Sequence, residues 1–428
     1  MTNSNSTYER ITRGDGTMLY ATAHGSYAVR LHLRLDRTID ENALRSSVDK
    51  TAERYPYLCV SLKKNEKEFY YVENKLPIAI GHTASPLKLG TDEANGHVWS
   101  ISYEGDRLFL DFYHGKTDGT GAYQLLTTLL YYYFTEQGYS LDPTGIKTLD
   151  TAIDVSETND PLERLPLIDL SKIEFPAPVT ALNLMKESDL ERSSEKGVIY
   201  RLLIPEASFL PFTKENDASP GIMVSVLMAR AIERLHPDHD APIVSNYIVN
   251  ARPMLGAEDT LHNCTGRVVL NYDEKVRKMS LERQCTIYRG KTILQSDEET
   301  VRGMMTVAAT MSQTILDLPD LQTKMSFARQ SMESTYDAAT YMVSYVGRWK
   351  HPEIGEHIRE FWTETPVGTF PLIEMAAVNG NICVSILQPF EEDLYFKELK
   401  DELESNGIEY TDCGHAFVSV ADIDMENR

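Results

Sequence analysis

The sequence predicts a mixed α/β fold, α+β in its two-layer sandwiches, divided between two similar lobes. Three observations carry this expectation. At 428 residues the chain exceeds one ordinary compact domain and suits two of roughly 200 residues each. Strand-like and helix-like periodicities interleave along its whole length. Between the halves, residues 140–195 lack a strong period and carry Pro143, Pro161, Pro166, Pro176 and Pro178, as a long crossover would. The expected organisation is a first lobe over 1–140, a crossover over 141–196 and a second lobe over 197–428. Composition agrees: 42% hydrophobic and 25% charged residues exclude general disorder, and 13 Phe, 23 Tyr and 3 Trp can fill a sizeable core.

Residues 27–35 alternate apolar with polar, the pattern of a half-buried strand. Asp40 then stands where an N-cap belongs, and Ala43, Leu44, Val48 and Ala52 follow at helical spacing until Pro56. Residues 58–62 and 68–72 read as short strands, and 99–103 with 107–113 as a hairpin turned by Glu104-Gly105-Asp106. Ala122, Leu126, Leu129, Leu130 and Tyr133 mark one face of a helix ending near Gly138. Apolar residues recur through the crossover (Leu165, Leu167, Ile168, Leu170, Ile173, Phe175), which argues against a disordered linker. In the second half, 198–204, 243–249, 265–272, 342–346, 374–378 and 381–386 read as strands. A helix starts at Pro220, with Met223, Val226, Leu227, Ala231 and Leu235 in register. Further helices are expected over 281–296, 299–316 and 394–404.

Charge narrows the partners. Lys and Arg total 42 against 64 Asp and Glu, a formal net charge of -22 that repels a phosphate backbone. General binding to nucleic acid or an anionic membrane is therefore not expected, although a local basic pocket can still hold one small anion. Five cysteines, scattered and without a CxxC pair, argue against a disulfide framework or zinc knuckle and for a reducing compartment. Residues 1–13 lack the apolar core of a secretory signal, and no run of 18 apolar residues occurs. The expectation is a cytoplasmic protein without a membrane span.

The sharpest local feature is Phe112-Tyr113-His114-Gly115-Lys116-Thr117-Asp118-Gly119-Thr120-Gly121. A strand alternating Leu108, Leu110 and Phe112 delivers His114 to its end, a glycine-bearing turn follows, and then a helix. A histidine so placed can project into a cleft, where imidazole is suited to taking a proton from an alcohol or amine near neutral pH. Asp118 can hold the turn by accepting hydrogen bonds or pairing with an arginine. This context resembles the HxxxDG signature of the chloramphenicol acetyltransferase-like superfamily, and His114, Asp118 and Gly119 match it in full. That superfamily includes plant BAHD acyltransferases, peptide-synthetase condensation domains and alcohol acetyltransferases. Two further stretches agree. Ala43-Leu44 with Arg54-Tyr55-Pro56-Tyr57-Leu58 looks like the family's opening helix and (R)xPxL segment, and Ser245-Asn246-Tyr247-Ile248-Val249-Asn250-Ala251-Arg252-Pro253 looks like its strand ending in Asn-x-Arg. The BAHD Asp-Phe-Gly-Trp-Gly segment is absent, its nearest counterpart being residues 343–349. Tyr113 stands where condensation domains usually carry a second histidine. The resemblance is thus closest to stand-alone, alcohol-acetyltransferase-like members.

That resemblance implies two lobes meeting at a channel with His114 at its centre. It implies an acyltransferase that moves an acyl group, acetyl in the simplest case, from a coenzyme A thioester to an alcohol or amine. His114 would be the general base of a direct, ternary-complex reaction, and coenzyme A a co-substrate, not a resident cofactor. The alternatives are a condensation-type enzyme using a donor on an acyl carrier protein, and a non-catalytic ligand-binding member of the fold. Asp118 is expected to point away from substrate and pair with Arg252. Tyr113, Asn250 and Ser344 are expected at the substrate, Ser344 as an oxyanion donor; no metal ligand and no cofactor-binding residue is assigned.

Other segments read more blandly. His236-Pro237-Asp238-His239-Asp240 lacks a third ligand and reads as a solvated loop. Lys275, Arg277, Lys278, Arg283, Arg289 and Lys291 form a basic island suited equally to phosphates, an acidic carrier protein or plain solvation. Residues 263–266 line the channel or merely turn the chain. Cys264 lacks a paired base, and Met304, Met305 and Met311 read as core. No GxxxxGK[ST], GxGxxG, HExxH or GxSxG occurs.

Overall fold

Two main sheets organise the computed structural model, which describes residues 8–22, 28–172, 180–190, 197–336, 338–366 and 370–418. The first grows from the hairpin Trp99–Glu104 and Arg107–Tyr113, turned at Gly105 with a φ of 62° that favours glycine. Ala28–Leu35 pairs antiparallel on one side, and Ile80–His82 runs parallel on the other. The fifth strand, Ile358–Glu364, comes from the second half of the chain and pairs antiparallel with Ala28–Leu35. Helix Glu41–Arg54, capped by Asp40 at the Ala43 N–H, and helix Gly119–Glu136 bury Leu44, Val48, Leu126, Leu129 and Leu130 against this sheet. A three-stranded sheet of Tyr8–Arg10, Phe69–Glu73 and Val60–Lys64 completes the first lobe.

The second sheet has seven strands in the order Thr265–Tyr272, Ile243–Asn250, Tyr341–Arg348, Leu372–Val378, Asn381–Gln388, Gly197–Pro205 and Thr411–Val418. Tyr341–Arg348 is parallel to both neighbours, and the remaining pairs are antiparallel. Helix Pro220–Leu235 is buried nearly all round because it sits among this sheet, Leu281–Gln295 and Leu394–Ser405. Helices Arg13–Thr22, Glu298–Asp317 and Leu321–Tyr336 pack together beside the junction of the lobes. In the crossover, Leu162 and Leu165 are buried against Ala251 and Met305, whereas Leu167 is exposed. Ile173 and Phe175 lie outside the described residues. Among the described residues no helix is long and apolar enough to cross a membrane.

Ala28–Leu35 differs from the half-buried strand expected, because both of its faces are covered. Its polar side meets a layer of charges. Arg30 forks onto Asp111 at 2.7 and 2.8 Å, and His32 Nδ1 lies 3.3 Å from Glu364. Arg201, from the second sheet, donates to the same Glu364 carboxylate. Burial alone would raise Glu364, but His32, Arg201 and Arg30 hold it down to about 2. Glu364→Ala would leave Arg201 without its carboxylate. Breaking such buried pairs costs about 3–5 kcal/mol, read as a lower urea midpoint at unchanged slope. A loss below about 1 kcal/mol, typical of a surface pair, would contradict this assignment.

Candidate active site

Asp118 sits between strand Arg107–Tyr113 and helix Gly119–Glu136, in an extended conformation that makes it the N-cap. Its Oδ1 accepts from the Gly121 N–H at 3.0 Å and from Arg252 Nη2 at 2.7 Å. Its Oδ2 accepts from Arg252 Nη1 at 2.8 Å and from the Cys264 N–H at 3.0 Å. Arg252 spends its other donors on the carbonyls of Thr260 and His262 and on Asn250 Oδ1. The pair is wholly buried and fully satisfied, which is the condition for holding two charges away from water. Burial would raise Asp118, but Arg252 and the two N–H groups hold it below the usual carboxylate range. Thr117 Oγ1 donates to the Leu261 carbonyl at 2.6 Å, adding a second tie between the lobes. Gly121 permits that approach: a Cβ there would stand 2.1 Å from Thr117 Oγ1 and 3.0 Å from the Leu261 carbonyl.

His114 follows the strand directly. Its Nδ1 lies 3.1 Å from the Thr117 carbonyl, which can only accept, so Nδ1 carries the proton and the lone pair is on Nε2. Burial lowers the imidazole below its ordinary 6.5, with Asp118 opposing the shift in part. The ring is therefore neutral at pH 7. It lines a cavity of about 360 Å³ between the lobes. Thr17, Met18, Val29, His114 and Gly119 form one wall, and Ile248, Asn263, Thr265, Met305, Ser344 and Glu374 the other. A second, more polar cavity of about 290 Å³ is lined by Thr120, Tyr123, Lys147, Asn250, Arg252, Lys350 and His351.

The residues singled out from the sequence fall into two groups. His114, Gly119 and Ser344 meet at the first cavity, and Asn250 with Arg252 borders the second. Tyr113 is not at either. At 1% exposure its ring lies beneath Gly115, with its hydroxyl at Thr22 and the Leu19 carbonyl, because adjacent residues leaving a strand face opposite sides. The Ser344 hydroxyl bonds to Glu374. Asn263 and Thr265 line the cavity, and so does Met305, which is also core. Burial pushes the Cys264 thiol up, which denies it thiolate character. The basic island lies outside both cavities, where Lys278 meets Glu274, Arg277 meets Glu233 and Arg289 meets Asp217. His236 bonds to Tyr395 and Ser188, and His239 to Glu233 and the Ala241 carbonyl, so that loop is partly packed and not freely solvated. Among the described residues no cluster of three metal-ligating side chains occurs.

Two participants escaped the sequence reading. His262 lies 3.0 Å from Asp15 through Nδ1 and 2.9 Å from the Thr158 carbonyl through Nε2. Burial opposes its charge, but Asp15 overrides this and raises the ring to about 9, so it stays protonated. No spacing in the sequence marks it. Glu374 had a weak signal, a carboxylate inside the otherwise apolar Leu372–Val378 strand.

Asp118→Ala and Arg252→Ala should each cost about 3–5 kcal/mol in urea unfolding, because each strands a buried charge. The double variant should lose clearly less than the sum. Additive losses would contradict the pairing. No protein-family model matches the sequence, and no curated protein matches it either. Solved structures do match. TRI101 of F. sporotrichioides, crystallised with coenzyme A and T-2, is 11% identical with a TM-score of 0.62, covering 96% of this chain and 100% of its own. Polyketide synthase associated protein 5 from Mycobacterium tuberculosis is 13% identical with a TM-score of 0.62, covering 92% and 97%. The condensation domain of the Monacolin K polyketide synthase MokA is 10% identical with a TM-score of 0.56, covering 93% and 96%. The chain thus has the two-lobed chloramphenicol acetyltransferase-like fold that it shares with these proteins.

Proposed function

We propose that this chain is an acyltransferase that moves an acyl group, acetyl in the simplest case, from a coenzyme A thioester to an alcohol or amine. The observation that carries the reading is the neutral His114 imidazole, its tautomer fixed by the Thr117 carbonyl, on the wall of the inter-lobe cavity. In this reading Nε2 takes the acceptor's proton as the acceptor oxygen or nitrogen attacks the thioester carbon. A C–O or C–N bond forms, the carbonyl oxygen becomes an oxyanion, and collapse breaks the C–S bond. His114 then gives the proton to the leaving thiolate, which departs as the free thiol and leaves the imidazole neutral; attack is direct on the thioester, so no acyl-enzyme forms. The oxyanion would take a hydrogen bond from Ser344, once its hydroxyl turns from Glu374, or from a backbone N–H near Gly119. Asp118 and Arg252 position the histidine without touching substrate. The second cavity, lined by Lys350 and by Lys147, which also pairs with Glu157 and Asp259, would offer the thioester's phosphates a basic wall. The likeness to a CoA-bound acyltransferase-fold structure supports the donor.

We take 1–140, 141–196 and 197–428 as first lobe, crossover and second lobe, with Ile358–Glu364 lent back to the first sheet. Five free cysteines suit a reducing, cytoplasmic setting. A second reading, a condensation-type enzyme with a carrier-bound donor, is favoured by the likeness to a polyketide synthase condensation domain.

Acetyl-coenzyme A, an acceptor mixture and a free-thiol reagent test the proposal. Thiol release should fall about 10²–10⁴-fold in His114→Ala. Transfer from a loaded carrier protein but from no acyl-coenzyme A would favour the second reading. Ligand binding without transfer from either donor would overturn both. The pH profile supplies an independent check. Because only unprotonated His114 acts and its pKa is lowered, kcat/KM should rise with pH through a midpoint below 6.5 and stay flat near neutrality. A midpoint at or above 6.5 would contradict this role.

A further inference from the structure

Glu374 is a buried carboxylate that the reaction above does not use. It is 6% exposed and lines the inter-lobe cavity from the middle of Leu372–Val378. Ser344 is its register partner on the neighbouring parallel strand, whose register shifts between Tyr345 and Arg348, and Met342, Ser344 and Val346 all line the cavity. Val346 lies below the HxxxDG turn, since a Cβ on Gly119 would come within 3.7 Å of its Cγ1. Glu374, at the level of Ser344, and Gly119, over Val346, thus face the same cavity as His114.

At that level the surroundings are one-sided. Thr365 Oγ1 donates to Glu374 at 2.6 Å and the Ser344 hydroxyl bonds to it, but no described Lys, Arg or His forms an ion pair with it. Thr363 Oγ1, on the same wall, is buried without a partner. Met18, Ile248, Met342 and Leu372 add apolar lining, and Thr17, Asn263 and Thr265 are neutral polar. The other charged lining residue, Arg13, turns its guanidinium to Gln313 and to the carbonyls of Leu162, Glu163 and Leu165. Burial accordingly lifts Glu374 to about 7, a carboxyl that ionises only at a cost in this setting. A cation entering the cavity removes that cost.

We propose that Glu374 anchors the acceptor: the cavity takes an apolar molecule bearing a protonated amine, which pairs with Glu374 while its acylated group lies at His114. The acylated end rests on the acyl-transfer reading; the amine site does not. The test is titration calorimetry at pH 8 with n-hexylamine and n-hexanol as probes, on wild type, Glu374→Gln and His114→Ala. Hexylamine should bind wild type more tightly than hexanol, lose about tenfold or more in affinity in Glu374→Gln, and keep its preference in His114→Ala. Glu374→Met, of similar length, gives the same comparison if the glutamine variant is unstable. Equal binding of the two probes to wild type, or unchanged amine affinity in both Glu374 variants, overturns the proposal. Because calorimetry needs no turnover, amine preference without transfer would sink only the acyl-transfer reading, and transfer without amine preference only this one.

Discussion

The fork of Arg252 onto Asp118 is the interaction on which the rest of the site depends. One carboxylate caps helix Gly119–Glu136, holds the Cys264 N–H and receives an arginine 134 residues further along the chain. These bonds fix the turn that follows His114 and the segment that ends strand Ile243–Asn250, so the two walls of the cavity are set by the same atoms. A buried charge pair adds little net stability over a well-packed apolar pair. What it supplies is geometry, since each partner is also tied by hydrogen bonds to its own surroundings and the fork locks those surroundings together.

The same device recurs around the junction. Arg54 forks onto Glu157 at 2.9 and 3.0 Å, joining the first lobe to the crossover, with the Tyr57 hydroxyl on the same carboxylate. His262 and Asp15 tie the second lobe to helix Arg13–Thr22, and Glu364 joins Arg201 to His32. Arg30, Arg54, Arg201 and Arg252 thus each face a single buried carboxylate in a chain of net charge -22. The net charge of -22 does not favour a broad polyanion-binding face.

Elements specified by their own residues were legible in the sequence. The hairpin at Gly105, the helix after Asp40 and the helix at Pro220 each carry a turn or cap signal beside a clear period. Elements specified by distant partners were not. Ile358–Glu364 hides its strand period under charges that are satisfied by Arg34, His32 and Arg201. Thr411–Val418 is an edge strand interrupted by Gly414, and Glu206–Glu215 contains Pro211. Helix Leu321–Tyr336 is different: Leu321, Met325, Ala328 and Met332 stand at helical spacing, and the signal was there to be used. At the site, the motif located His114 and Asp118, while Tyr113 showed that neighbours in sequence can lie on opposite faces. His262 and Glu374 gain their meaning only from long-range contacts.

The central claim is a neutral imidazole with its lone pair on Nε2, held by the Thr117 carbonyl beside the Asp118–Arg252 pair. Nitrogen-15 NMR of selectively labelled histidine, assigned to His114 by comparison with His114→Ala, measures this directly. The account predicts a ring that titrates below 6.5 and carries its proton on Nδ1 at pH 7.5. A ring protonated on Nε2, or one still charged at neutral pH, would contradict it.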